Sequence, residues 1–188
     1  MSAPPAVLAR RAALLARRAA LLQAARRLRV RLRHRGVTLG PGVVLGRGIV
    51  WDVHPAARVS IGAGARLGDR CRLHVGPARV RLGASCVLED GVRLGIRDCL
   101  TVGEGAWIGE EAVLVDSDQR AEDPERPVRV QGVATGPVSI GARASIGHGA
   151  VVLRGRSVGA GAQVGEHAVV TRDVPPGGRV AGIPAVTA

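Results

Sequence analysis

The sequence predicts an all-β chain wound as a parallel β-helix behind one N-terminal helix. Two observations carry this. From residue 37 an aliphatic residue followed by glycine recurs, mostly at intervals of six. Aromatic residues are almost absent: Trp51 and Trp107 stand among 188 residues with no Phe or Tyr, whereas Gly numbers 27. Large aromatic side chains normally supply much of a thick globular core. Val, Leu, Ile, Ala and Gly suit thin repetitive coils instead, and 188 residues is the length of one domain.

The first element is a helix within residues 5–33. The stretch ARRAALLARRAALLQAARRL repeats every seven residues. Leu8, Leu15 and Leu22 share one stripe, with Leu14, Leu21 and Leu28 beside it. Arg10, Arg11, Arg17, Arg18, Arg26 and Arg27 lie mostly to the side, and Pro4 and Pro5 suit a helix start. Residues 1–35 carry ten Arg and no acid. Of the net charge of +12, this segment supplies +10 and residues 36–188 only +2. The helix therefore packs on its own solenoid or on partner helices, or lies on an anionic membrane surface. Nucleic acid is not the expected partner, because no aromatics are present to stack bases. The chain divides into a basic helical segment, 1–35, and a β-helix domain, 36–188.

The repeat itself runs through Leu39-Gly40, Leu45-Gly46, Ile61-Gly62, Leu67-Gly68, Leu82-Gly83, Leu94-Gly95, Val102-Gly103 and Ile108-Gly109. It then holds a strict register at 140, 146, 152, 158, 164 and 170. Small residues such as Ala144, Ala150, Ala162 and Ala168 follow four places later. Neither a 3.6 nor a 2.0 period produces this. A hexad does, and it marks coils that bury their apolar edges only by stacking. The register slips at Trp51 to Ile61 (ten residues), Leu73 to Leu82 (nine) and Leu94 to Val102 (eight), which predicts small outward bulges. Leu114 to Ile140 spans 26 residues, which predicts a protruding loop near 116–137. Long loops on regular scaffolds commonly carry function.

Cys71, Cys86 and Cys99 have neither zinc nor disulfide spacing and read as small buried residues in a reducing compartment. Apolar runs are too short to span a bilayer, and Arg pairs interrupt each one near the start. The expected location is cytoplasmic, with the inner membrane face as the site of peripheral association.

The last third, PVSIGARASIGHGAVVLRGRSVGAGAQVGEHAVVTRDVPPGGRVAGIPA, resembles the hexapeptide-repeat acyltransferases. It is most similar to sugar O-acetyltransferases of the maltose, galactoside and O-antigen type, over roughly residues 37–186. The resemblance implies a left-handed, three-sided β-helix of about six to seven coils, a homotrimer, and acetyl-CoA bound between subunits as acyl donor. It implies transfer of the acyl group to a sugar or a polysaccharide precursor of the cell envelope. In the family, the loop after the VLVDSD-like strand carries a catalytic His that takes the acceptor hydroxyl's proton. Here Asp116, Ser117 and Asp118 are followed by Gln119 at that position, and an amide is no base near neutral pH. The alternative is a catalytically impaired homologue serving as a trimeric binding or scaffold protein. Thr171 and Arg172 match the pair that contacts the CoA 3′-phosphate end, and Gly159 and Ala160 match a tight turn near the pantetheine. Ser145 stands where a Trp often lines the CoA groove, and Glu166 where the family prefers Ala.

With three hexads per coil, residues 18 apart stack about 4.8 Å from each other. His148 then meets Glu166 above and, if the loop replaces no hexad, Glu110 below. This column is a candidate relocated acid–base pair, because a neighbouring carboxylate orients an imidazole and raises its pKa. The same spacing stacks Arg154 on Arg172 with Asp116 beneath, as an anion pocket or a salt-bridged edge. His34, His54, His74 and His167 are expected to be surface or turn residues, His54 far from the loop and His74 and His167 without convincing partners. No metal is expected. A β-helix enzyme of the γ-carbonic anhydrase kind needs three convergent His, and no two His lie five or six apart.

Overall fold

The computed structural model describes residues 5–187. The helix Pro5–Arg33 leads into a left-handed parallel β-helix of about six turns. Its strands form three faces. The first stacks Val37–Leu39, Arg58–Ile61, Arg79–Leu82, Cys99–Val102, Val138–Ile140 and Ser157–Val158. The second runs from Val44–Leu45 through Trp107–Ile108 and Ser145–Ile146 to Gln163–Val164 and beyond, and the third from Val50–Val53 to Val169–Val170. Every stacked pair of coils is parallel and in register, as in Leu100↔Val138 or Ile146↔Val164. One column of Leu, Ile and Val from each face fills the interior, with Ala106, Ala144, Ala150, Ala162 and Ala168 completely or almost completely buried at the corners.

The aliphatic-glycine pair has a steric cause. At the first corner, between the first and second faces, a Cβ on Gly62 would lie 2.5 Å from the backbone N of Ala84. At the second corner, between the second and third faces, one on Gly68 would lie 2.6 Å from the N of Asp90. The turn brings backbone onto backbone, so only glycine fits. The third corner, between the third and first faces, is built differently. All the slips of the hexad fall there: residues 54–57, 76–78, 97–98 and 116–137 are its successive crossings. The extra residues expected as outward bulges lengthen the flanking strands instead: Val50–Val53 and Arg58–Ile61 have four residues each, against two in Val151–Val152 and Ser157–Val158, and the long insertion lies on the edge they form.

That insertion is more ordered than a loop. Ser117–Gln119 pairs antiparallel with Val133–Thr135, making a two-stranded hairpin. A short 3-10 turn at Val128–Val130 lies within it.

The helix lies against the first coil through its polar side. Gln23 accepts from the Leu45 backbone N–H at 2.9 Å and donates to the Leu45 carbonyl at 3.0 Å. Arg26 donates to the same carbonyl, and Arg31 to that of Leu39. Val30 is buried in the contact. The helix thus partners backbone groups at the open edge of the solenoid, which an unpaired strand would leave free. Leu15, Leu21, Leu22, Leu28 and Leu32 remain 57–72% exposed. The packing on its own solenoid expected from the sequence is present, but these five leucines do not make it. Leu8, Leu14, Arg10 and Arg11 lie outside the residues whose side chains are described.

Candidate functional site

The hairpin divides the third corner into two concavities. Above it, toward the C-terminal coils, a cleft of about 320 Å³ is lined by Val115, Ser117, Asp118, Leu153, Arg154, Arg156 and Thr171. Below it a groove of about 840 Å³ runs along the edge, bounded by Asp52, His54, His74, Gly95, Arg97, Ser117 and Thr135. Ser117 faces both.

Asp116, at the base of the hairpin, is completely buried. Its carboxylate accepts from the backbone N–H groups of Arg97 (2.7 Å), Asp98 (2.7 Å) and Cys99 (2.9 Å). These belong to the narrow crossing one coil below, whose N–H groups point upward without strand partners. A carboxylate satisfies all three at once, with charge-assisted bonds. The Asp116 carbonyl also receives the N–H of Gly136 where the chain returns. The side chain expected at the chemical centre, or beneath an arginine pair, is committed to holding the hairpin onto the coil. It makes no ion pair with Arg154 or Arg172 among the described residues. Gln119 ends the first hairpin strand, opposite Val133, and is exposed.

The predicted CoA contacts fall on separate sides of the chain. Thr171 and Arg172 follow Val170 at the third corner, and the register Val152↔Val170 sets Arg154 beside Arg172 as expected. Gly159 and Ala160 form a turn of the first corner. Ser145 lies on the second face, flanked in register by Trp107 and Gln163. Trp107 is 39% exposed, and its Nε1–H donates to Glu89 at 3.1 Å. The aromatic missing at Ser145 is thus present one coil lower.

His148 and Glu166 sit at the second corner, away from the hairpin. His148 Nδ1 is 4.0 Å from Glu110 Oε2, so the lower half of the expected column exists as a loose contact. The upper half differs. His167, expected to have no partner, packs edge-on against His148 with ring centroids 5.2 Å apart. Glu166 stands one coil above His148 in register without an ion pair to it among the described residues.

Two further histidines also depart from expectation. His74 Nδ1 lies 2.9 Å from Asp52 Oδ2 on the third face. His54 lines the groove beneath the hairpin rather than standing far from it, and its Nδ1 accepts from the Ala56 N–H at 3.1 Å. The signal was present in the sequence. Asp52 and His74 are 22 residues apart, the length of that coil, and stack as 18-residue neighbours do higher up. His34 lies beside Trp51 near the helix, where burial and then the Arg33 charge lower its pKa. No cluster of three metal-ligating side chains occurs among the described residues.

No family model matches this chain. It is 47% identical over 109 residues to nodulation protein L of Rhizobium meliloti (57% of this chain, 55% of that protein). It is 31% identical over 162 residues to a probable acetyltransferase of Mycobacterium tuberculosis (85% of this chain, 54% of that protein). The chain therefore spans about half the length of the curated relatives it matches. A mutant of AntD, an N-acyltransferase from Bacillus cereus, was solved with dTDP-4-amino-4,6-dideoxyglucose and coenzyme A. It superposes with a TM-score of 0.64 at 18% identity, over 80% of this chain and 81% of that one. A hexapeptide-repeat acetyltransferase of Vibrio cholerae, solved with acetyl-CoA, gives 0.53 at 19% identity, over 78% and 69%. The structural neighbours of this chain are hexapeptide-repeat acetyltransferases, and it is built on their fold.

Proposed function

We propose that this protein is an acyl-CoA-dependent O-acyltransferase acting on a sugar or a cell-envelope polysaccharide precursor. The observation that carries it is the hairpin at the third corner, with a cationic cleft on one side and a histidine-lined groove on the other. Arg154, Arg156 and Thr171 suit the phosphates of CoA, Arg172 extends the positive edge, and the groove suits a polar acceptor. The N-acyltransferase neighbour was solved with both a sugar nucleotide and coenzyme A, which supports the pairing of ligands.

The carried-over contacts also favour an assembly. Thr171 and Arg172 are at the third corner, whereas Gly159, Ala160 and Ser145 are on the first corner and second face. The core lies between the third corner and Ser145 on the opposite, second face, so a CoA that meets both is shared between copies. The homotrimer in this reading sets the third corner of one copy near the second face of the next. Light scattering is expected to give three copies per particle, and a monomer would remove the shared site.

Acetyl-CoA with sugar acceptors is expected to release free thiol. The absence of both thiol release and calorimetric CoA binding would overturn the enzyme reading. CoA binding without turnover would favour the scaffold alternative, which rests on Gln119 at the family's histidine position. The exposed leucines and the Arg-rich, acid-free helix support docking to an anionic bilayer from the cytoplasmic side. Co-sedimentation with phosphatidylglycerol vesicles that survives deletion of residues 1–30 would exclude it. No helix among the described residues is long and apolar enough to cross a membrane.

A further inference from the structure

The groove under the hairpin contains a combination of groups that the acyltransferase reading does not by itself require. The outward-facing column of the third face reads Asp52, His74, Gly95 and Val115 from bottom to top, each in register with the next. The lower two form the 2.9 Å pair. A carboxylate beside Nδ1 favours the tautomer in which Nδ1–H donates to it, which leaves the lone pair on Nε2. The His74 side chain lines the groove and is half-exposed, within reach of a molecule bound there.

Gly95 is the second observation. The first glycine of each first-corner turn, such as Gly62 or Gly83, is forced by backbone less than 3 Å from where a Cβ would stand. Gly95 meets no backbone: a Cβ there would find only the Val115 side chain, at 3.2 Å. Nothing in the coil geometry demands glycine. Its effect is to leave a gap in the column directly above His74, under the overhanging hairpin. A Cβ there would crowd Val115, and a strand glycine is also a place where a ligand can approach closely.

We propose that His74, positioned by Asp52, is the general base for the acceptor hydroxyl, and that the gap over Gly95 admits that hydroxyl. The inference rests on the acyltransferase reading above and supplies the base that Gln119 lacks. In the step, His74 Nε2 takes the hydroxyl proton as the oxygen attacks the thioester carbonyl. The new C–O bond forms, the C–S bond breaks, and the proton passes from the imidazolium to the departing CoA thiolate. His74 is the catalytic residue and Asp52 a positioning residue.

The test is steady-state thiol release from acetyl-CoA with D-glucose, D-galactose or N-acetyl-D-glucosamine, using whichever the wild type acylates. His74→Gln is expected to lower kcat by about 10²-fold or more, with CoA affinity unchanged. Added imidazole should partly restore His74→Gly. Asp52→Asn should lower kcat by about tenfold at constant acceptor KM. Gly95→Leu should raise acceptor KM by about tenfold and leave CoA binding intact. An active wild type whose His74→Gln and His74→Asn variants stay folded and within about threefold of its kcat would overturn the base assignment and leave the acyltransferase reading standing. A wild type that neither releases thiol nor binds CoA would overturn both.

Discussion

The second corner, and the strands of the third face beside the third corner, each place a histidine beside a carboxylate, toward opposite edges of the same face. At the second corner, His148 and Glu110 are 4.0 Å apart on a tight turn whose glycines are pressed against the coil above. At the third, His74 and Asp52 are 2.9 Å apart, in a groove roofed by a hairpin. The chemistry of the pairs is alike, and their surroundings are not. A tight corner repeats one backbone path in every coil, and the concavity against residues 46–49 is closed by the helix packed there. The third corner has a different length in each crossing, so it makes steps, overhangs and pockets. Regularity at two corners supports the stack, and irregularity at one provides the site.

The comparison breaks most visibly under insertion. Gly-Ser inserted between Gly109 and Glu110, at the second corner, should push backbone into the next coil. It is expected to cost about 4 kcal/mol and lower Tm by about 10 °C or more in calorimetry. The same insertion between Pro55 and Ala56, at the third corner, only lengthens a variable crossing. It should cost less than about 1 kcal/mol. Equal losses would mean the third corner is as constrained as the others.

Asp116 should show the next largest effect, because the variable corner still needs its anchor. Asp116→Ala leaves the N–H groups of Arg97, Asp98 and Cys99 without their acceptor and is expected to cost about 3 kcal/mol in denaturant unfolding. Asp116→Asn, which keeps one acceptor oxygen, should cost about half of that. A loss in activity alone, with stability unchanged, would return Asp116 to a chemical role.

The cysteines give the smallest and most local comparison. Cys71 and Cys86 lie inside the second and first corners, where burial pushes both thiols up to about 11. Cys99 begins a strand at the third corner and is half-buried. At pH 8 a maleimide is expected to label Cys99 well before the other two, by peptide mass mapping. The buried thiols also set a sign for alkaline stability. Unfolded thiols ionise near pH 9 while the folded ones stay protonated, so their contribution is constant below pH 9 and falls between about 9 and 11.

The glycine hexads made the coils legible from sequence because backbone contact at two corners allows almost no alternative residue. Even the slips of ten, nine and eight residues were visible. That they stack on one edge followed only when each slip was assigned to the same step of the coil. Partnerships spaced by 18 could be anticipated at 148 and 166, but Asp52 and His74 sit 22 apart in a wider coil and were missed. The partners of Asp116 are backbone N–H groups, which no side-chain pattern announces. The helix was readable from its heptads. Its packing side was not, because Gln23 and Arg26 bond to the open edge at Leu45 while the leucines face outward.

Hydrogen exchange of the assembled protein with and without CoA tests the assignment of the site to the third corner most directly. Slower exchange is expected at residues 115–118, 153–156 and 171 on adding CoA, with residues 110–112 and 147–149 of the second corner unchanged. Protection confined to the second corner would contradict it, and would move the chemistry to His148.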